Sequence, residues 1–245
     1  MHIALLQHAA FEHAGILRDF MYEDRISFDI VALDEGDPLP DLDPYDALIV
    51  LGGPMGPLDY DDHPWLINET ALIREAVVER ALPTLGICLG HQLLALALGG
   101  SLSEMKKTEA GVTEIAFNEA GKRDPLFQGL ASKAPSFQWH EWQVKEPPPG
   151  AVPLASSALC PVQAIRAAPR AWGVQFHIEA SNGTLDEWLT PVGHEDELQT
   201  ILGPNARTTL SDQAAIHMSR LNADARRMFN NFTQLAQMPA KAIEN

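Results

Sequence analysis

The sequence predicts an α/β fold: a mostly parallel, open sheet with helices on both faces and an additional strand-rich meander. Three observations predict it. Through the first hundred residues, short apolar runs alternate with longer segments of helical spacing, in an order that favours a parallel sheet covered by helices. From "SLSEMKK" onward the runs become short and strand-like, with Pro and Gly between them. From about residue 181 helical periodicity returns and persists.

The elements follow in order. "HIALLQ" (2–7) reads as a buried strand, and "AGILRDFMYED" (14–24) spaces its apolar residues as a helix does. "FDIVAL" (28–33) and "YDALIVLGG" (45–53) read as strands, the second ending in glycines. "PWLINETALIREAVVERA" (64–81) is helical, with Pro64 suited to a first turn. "PTLGIC" (83–88) is a strand that feeds "LGHQLLALALGG", a helix stopped by Gly99 and Gly100. The meander comprises "GVTEIAFN", "SFQWHEWQVKE", "VPLASSA", "PVQAIRA" and "AWGVQFHIE". "KEPPPGAVP" is a rigid turn inside it. In the tail, "HEDELQTILGP" (194–204) ends in a Gly-Pro stop. Beyond it Leu210, Ala214, Met218, Leu221, Ala225, Met228, Phe232 and Leu235 recur three or four apart, the stripe of a helix packed on the sheet. The expectation is one domain over 1–245, with a helical C-terminal extension at about 181–245.

Composition narrows the function. The chain has 245 residues, 46% of them hydrophobic, which is ample for a core. Its formal net charge of -16 repels phosphate backbones and anionic lipid, so nucleic-acid and membrane partners are not expected. Cys88 and Cys160 do not make a disulfide framework, which favours a reducing compartment. The start "MHIALLQHAAFEH" lacks the basic and apolar regions of a secretory signal, and no apolar run spans a bilayer. A cytoplasmic protein is expected.

Three short stretches carry chemistry. "GICLG" joins a strand to a helix through Gly-x-Cys-x-Gly, the nucleophile-elbow pattern with Cys88 as nucleophile. Gly86 and Gly90 let backbone approach closely, and a helix N-terminus favours a thiolate. The Leu89 N–H then faces a developing oxyanion. On these five residues alone, a structural cysteine between packing glycines reads equally well. "GVQFHIE" supplies a base, His177, and Glu179, which strand alternation sends to the same face to orient the imidazole. "LGGPMGPLD" (51–59) follows a buried strand, where ligands of open sheets bind, and Gly53 offers a second oxyanion donor. By itself it also reads as an ordinary turn.

Together "LGGPMG", "GICLGHQ" and "QFHIE", in this order along the chain, resemble the class I glutamine amidotransferases, whose motifs are a glycine-rich oxyanion loop, a G-x-C-x-G-x-Q elbow and F-H-x-E. The likeness runs from the first strand to about residue 180 and is nearest to stand-alone members related to the amidotransferase domain of GMP synthetase. The resemblance implies a flavodoxin-like fold, a Cys88–His177–Glu179 triad, and an oxyanion hole from the N–H groups of Gly53 and Leu89. It implies that Gly52, Gln92, Trp139, His140 and Trp142 border the glutamine pocket, with Gln92 at the amino-acid end of the substrate. The family commonly reads W-H-G-D and H-P-E. This chain has Trp139-His140-Glu141-Trp142, which brings bulk and charge to the pocket, and His177-Ile178-Glu179.

Other residues have plainer readings. His91 is expected to pack or hydrogen-bond and Cys160 to be inert; His8 and His13, near the first loop, read as cleft-lining or, more plainly, as solvated surface histidines. No metal-ligand spacing occurs, so neither metal nor cofactor is expected. The expected activity is hydrolysis of the glutamine side-chain amide, giving glutamate and ammonia for an acceptor. No phosphate loop or synthetase domain accompanies it, so the acceptor enzyme is a separate synthetase subunit, or the acceptor is a small molecule bound nearby. Two rival readings are a γ-glutamyl peptide or γ-glutamyl amide hydrolase with the same triad, and a non-catalytic regulatory or binding subunit.

Overall fold

The computed structural model describes residues 1–239. In chain order the elements are β1 (His2–Gln7), α1 (Gly15–Glu23), β2 (Ser27–Ala32), β3 (Ala47–Val50), α2 (Trp65–Arg74), β4 (Thr84–Ile87), α3 (Leu89–Ala97), β5 (Ser101–Phe117), β6 (Lys133–Glu146), β7 (Val152–Ser156), β8 (Ala164–Ala168), β9 (Ala171–Val174), α4 (Asn182–Trp188), α5 (His194–Leu202) and α6 (Ala206–Gln237). The strands form one sheet in the order β2-β1-β3-β4-β9-β8-β7-β5-β6. From β2 to β9 every pairing is parallel. From β9 outward the meander continues the same sheet in antiparallel pairs.

Alternation along the parallel strands builds two core layers. Ile3, Leu5 and Ile49 point to one face, under α1 and the second half of α6. Ala4, Leu6, Leu48 and Val50 point to the other, under α2 and α3. Such strands are buried on both faces and therefore read as unbroken apolar runs. All eight residues of the predicted α6 stripe are buried. Leu210, Ala214, Met218 and Leu221 pack with α4, α5 and Phe137, while Ala225, Met228, Phe232 and Leu235 enter the main core beside Trp172. Arg226 ties α6 to α1 through Asp24 at 2.6 Å and lies 4.9 Å over the Phe20 ring. Arg170 donates to the carbonyls of Ala236 (2.9 Å) and Met238 (3.0 Å) at the end of α6.

Three local outcomes differ from the sequence reading. The runs from "SLSEMKK" to "GVTEIAFN" are one strand, β5, whose pairing with β6 shifts register between Glu104 and Glu109. An irregularity of this kind re-aims the strand and breaks its periodicity without ending it. The strand carrying "GVQFHIE" stops at Val174, so His177 and Glu179 lie beyond it. Helix α4 falls inside the helical extension expected from about residue 181, but as a separate short helix that the sequence reading did not delimit. Its start is set by a capping box in which the Ser181 side chain accepts from the Thr184 N–H and the Thr184 side chain accepts from the Ser181 N–H.

Candidate active site

The site stands at the carboxyl ends of the parallel strands. Between the last residue of β4 and the first of α3, Cys88 adopts φ 52° and ψ −106°. A positive φ in a non-glycine residue costs on the order of 1–3 kcal/mol and persists only where its surroundings enforce it. Here they do. A Cβ on Gly86 would lie 2.3 Å from the Gly90 carbonyl oxygen, and one on Gly90 would lie 2.1 Å from that of Val50. The glycines thus let strand and helix close around the turn. The Cys88 N–H donates to Val174 O at 2.9 Å and the Gly90 N–H to Leu51 O at 3.1 Å. Leu89, in the first turn of α3, has no intrahelical acceptor for its N–H.

His177 faces the thiol. Its Nδ1 lies 2.6 Å from Glu179 Oε1, with both side chains buried. The two are brought together by a bend after β9 rather than by strand alternation, and the His177 N–H is anchored on Phe137 O at 2.9 Å. The Trp188 ring packs edge-on against the imidazole, with centroids 4.7 Å apart. Burial alone would lower the imidazole pKa. The Glu179 carboxylate and the Cys88 sulfur outweigh it and hold the pKa well above the usual histidine value. The imidazolium is the state these interactions favour. The Gln175 amide donates to Cys88 Sγ at 3.6 Å, and its oxygen accepts from Gln92 Nε2 at 3.2 Å.

Cys88, His177, Gly53, Leu89, Gln92, Trp139, His140 and Trp142 line one cleft. Gly52 lies at its edge: a Cβ there would sit 3.1 Å from His177 Cε1 and 2.6 Å from Glu12 Oε2, so a side chain has no room. Gln92 also donates to Trp142 O at 3.1 Å, fastening α3 to the β6 segment. His140 is buried, its Nε2 3.3 Å from Glu109 Oε2 and its Nδ1 2.9 Å from Trp142 O. Burial would raise the Glu109 pKa, but hydrogen bonds from His140, Ser157 and Thr113 bring it below the usual carboxylate range.

The cleft also contains residues the sequence reading missed: Phe11, Glu12, Trp188, His194 and Glu197. Glu197 accepts from Trp139 Nε1 at 2.9 Å, and His194 packs against Phe11 and Trp139. Three of the five come from α4 and α5, whose sequence carries no family motif. Glu12 lies beside His177 and Glu179. Burial, with help from Glu179, raises its pKa to about 7 against the opposing pull of His177 and His8. Its only sequence signal was its place in the loop after β1.

His8 corrects an expectation. It is wholly buried, not solvated, and lies between Gly52 and Glu69. The run "LLQHAA" gave no sign of this because its partner stands 61 residues away on α2. His13 is largely covered and pairs with Glu187. His91 is fully buried, and burial lowers its pKa to about 3, so it is a neutral packing residue. Burial pushes the Cys160 thiol up to about 12, which leaves it unreactive.

The protein-family model described as Glutamine amidotransferase class-I matches residues 15–191. The chain is 30% identical to the glutamine amidotransferase-like protein YfeJ of Salmonella typhimurium over 243 residues, 95% of this chain and 98% of that protein. It is 31% identical to a glutamine-hydrolyzing GMP synthase subunit of Sulfurisphaera tokodaii over 183 residues, 74% of this chain and 91% of that one. Among solved structures, a glutamine amidotransferase from Thermotoga maritima superposes with a TM-score of 0.85 at 27% identity, covering 97% of this chain and 99% of that one.

Proposed function

Because the chain belongs to the class I glutamine amidotransferases, we propose that it hydrolyses the side-chain amide of glutamine through a γ-glutamyl thioester on Cys88. The observation that carries this is the strained Cys88 turn with the buried His177–Glu179 pair closing on it. The thiolate attacks the amide carbon, and the N–H groups of Gly53 and Leu89 receive the oxyanion. His177 gives its proton to the departing nitrogen, releasing ammonia. Neutral His177 then takes a proton from water, which attacks the thioester. Glutamate leaves and the thiolate returns. The relatives named as GMP synthase subunits support a separate synthetase chain as the consumer of ammonia.

A second reading has one specific observation in its favour. Phe11, Trp188, His194 and Glu197 extend the cleft wall with aromatic and polar groups. Such a wall suits a γ-glutamyl amide or peptide, whose leaving group is larger than ammonia. Glutamate release from glutamine by the purified chain, beside a panel of γ-glutamyl amides and with Cys88→Ala as control, separates the two. Cys88→Ala is expected to reduce release by a factor of about 10⁴ or more. Unchanged turnover in that variant would refute the thioester. Silence on glutamine with turnover of the panel would make the chain a γ-glutamyl hydrolase.

A further inference from the structure

The buried dyad of His8 and Glu69 lies outside the triad and has no part in the chemistry above. His8 sits just beyond β1, and Glu69 in the middle of α2. Both side chains are fully excluded from solvent. Nδ1 of His8 is 2.7 Å from Gly52 O, and Nε2 is 2.8 Å from Glu69 Oε1. The Trp65 ring, one helical turn before Glu69, stacks on the imidazole at 5.6 Å and 10°. A carbonyl oxygen only accepts, so Nδ1 carries a proton whatever the charge of the ring. Glu69 holds the other nitrogen, and Trp65 fixes the ring plane.

The consequence lies in the next peptide. Gly52 and Gly53 share a trans peptide unit, in which C=O and N–H point in opposite directions. A glycine pair is otherwise free to turn that unit over, since neither residue has a side chain to resist it. Pinning Gly52 O on His8 therefore aims the Gly53 N–H away from His8, on the side of the cleft that Gly53 lines. We propose that the His8–Glu69 dyad is a positioning device for the oxyanion hole, which locks the Gly52–Gly53 peptide so that the Gly53 N–H meets the oxyanion formed at Cys88. Helix α2 thereby acts on catalysis through two hydrogen bonds in series, Glu69 to His8 and His8 to Gly52. The inference rests on the Cys88 acyl-transfer reading.

The test compares two near-isosteric variants, His8→Leu and His8→Asn. Each leaves Glu69 without the imidazole, but only asparagine restores a donor at the Nδ1 position. Two reactions of Cys88 are followed in each. Acylation by p-nitrophenyl acetate builds a tetrahedral oxyanion and needs no glutamine recognition. Alkylation by iodoacetamide displaces iodide and builds none. His8→Leu is expected to slow the acylation burst by about 10–100-fold, toward the loss seen when one oxyanion donor is removed. His8→Asn should recover about tenfold of that, with alkylation in both variants within about threefold of wild type. Equal acylation in the two variants, or alkylation that falls in parallel with acylation, overturns the proposal. If wild type is silent on glutamine and the γ-glutamyl panel while the acylation burst shows this pattern, the substrate reading fails and the positioning role stands.

Discussion

Glu179 and Glu12 lie close to the same imidazole, and replacing each by glutamine has a different consequence. Glu179 is bonded to His177 Nδ1 and stabilises the imidazolium. Replacing it by glutamine removes that charge, so the His177 pKa falls. The basic limb of kcat/KM, where the imidazolium loses its proton, should therefore move to lower pH. A pH–rate profile of Glu179→Gln reads this directly, and an unmoved basic limb would contradict it. The Glu12 pKa rises to about 7 in the fold, so the folded state binds more protons than the unfolded chain between the unfolded value near 4.5 and 7. Stability from this group is thus lost as pH rises through that window. Glu12→Gln does not titrate. It should be more stable than wild type at pH 8, by on the order of 1–2 kcal/mol after allowance for partial exposure, with the gain shrinking toward pH 5. Thermal unfolding at the two pH values measures the difference.

The elbow between β4 and α3 works because two glycines let three backbone segments meet. A methyl group on Gly90 would overlap the Val50 carbonyl, and that carbonyl belongs to β3, which leads into the Gly52–Gly53 loop. Gly90→Ala must therefore displace either Cys88 or the Gly52–Gly53 loop. It should cost about 1–3 kcal/mol of stability and cut turnover well beyond that effect, since misplacing reacting groups by an ångström costs about a hundredfold. Chemical denaturation and kcat on the same preparation separate the two losses, and unaltered kcat would argue against the close approach. At this scale the G-x-C-x-G spacing was legible because both glycines stand within two positions of Cys88, although the group that Gly90 makes room for, the Val50 carbonyl, lies on β3. The capping box that starts α4 is equally local. It lies inside the stretch expected to be helical from about residue 181, where the start itself was not assigned.

For the molecule as a whole, α6 is part of the core. Phe229 and Phe232 are fully buried between α1 and the sheet, and Arg226 and Arg170 fasten the helix at two further points. A chain ended at residue 205 would uncover this layer. Losing buried phenylalanines alone costs about 3–5 kcal/mol each, comparable with the whole stability of a domain once two are gone. Such a truncation should bind a hydrophobic dye and lose its cooperative thermal transition. A sharp transition near the wild-type Tm would instead mark 206–239 as dispensable. Among the described residues no helix is long and apolar enough to cross a membrane.

The parallel strands, the α6 stripe and the order of the three motifs were readable from residue spacing, since burial on two faces, helical periodicity and tight turns are demands met within a few neighbouring residues. Cys88, His177, Glu179 and Gly53 were picked out from such local patterns, and Gln92 through the resemblance of "GICLGHQ" to the family elbow. What spacing did not reveal was convergence over long separations. Glu12 beside His177 and Glu179, Trp188 against His177, Glu197 on Trp139, and His8 between Gly52 and Glu69 each join residues from distant parts of the chain. None has a local signature, because a side chain's neighbours across a sheet edge depend on how strands and helices pack. The register of β5 on β6 and the bend after Val174 belong with them: each is set by pairing and packing between separated segments rather than by the residues at the irregularity itself.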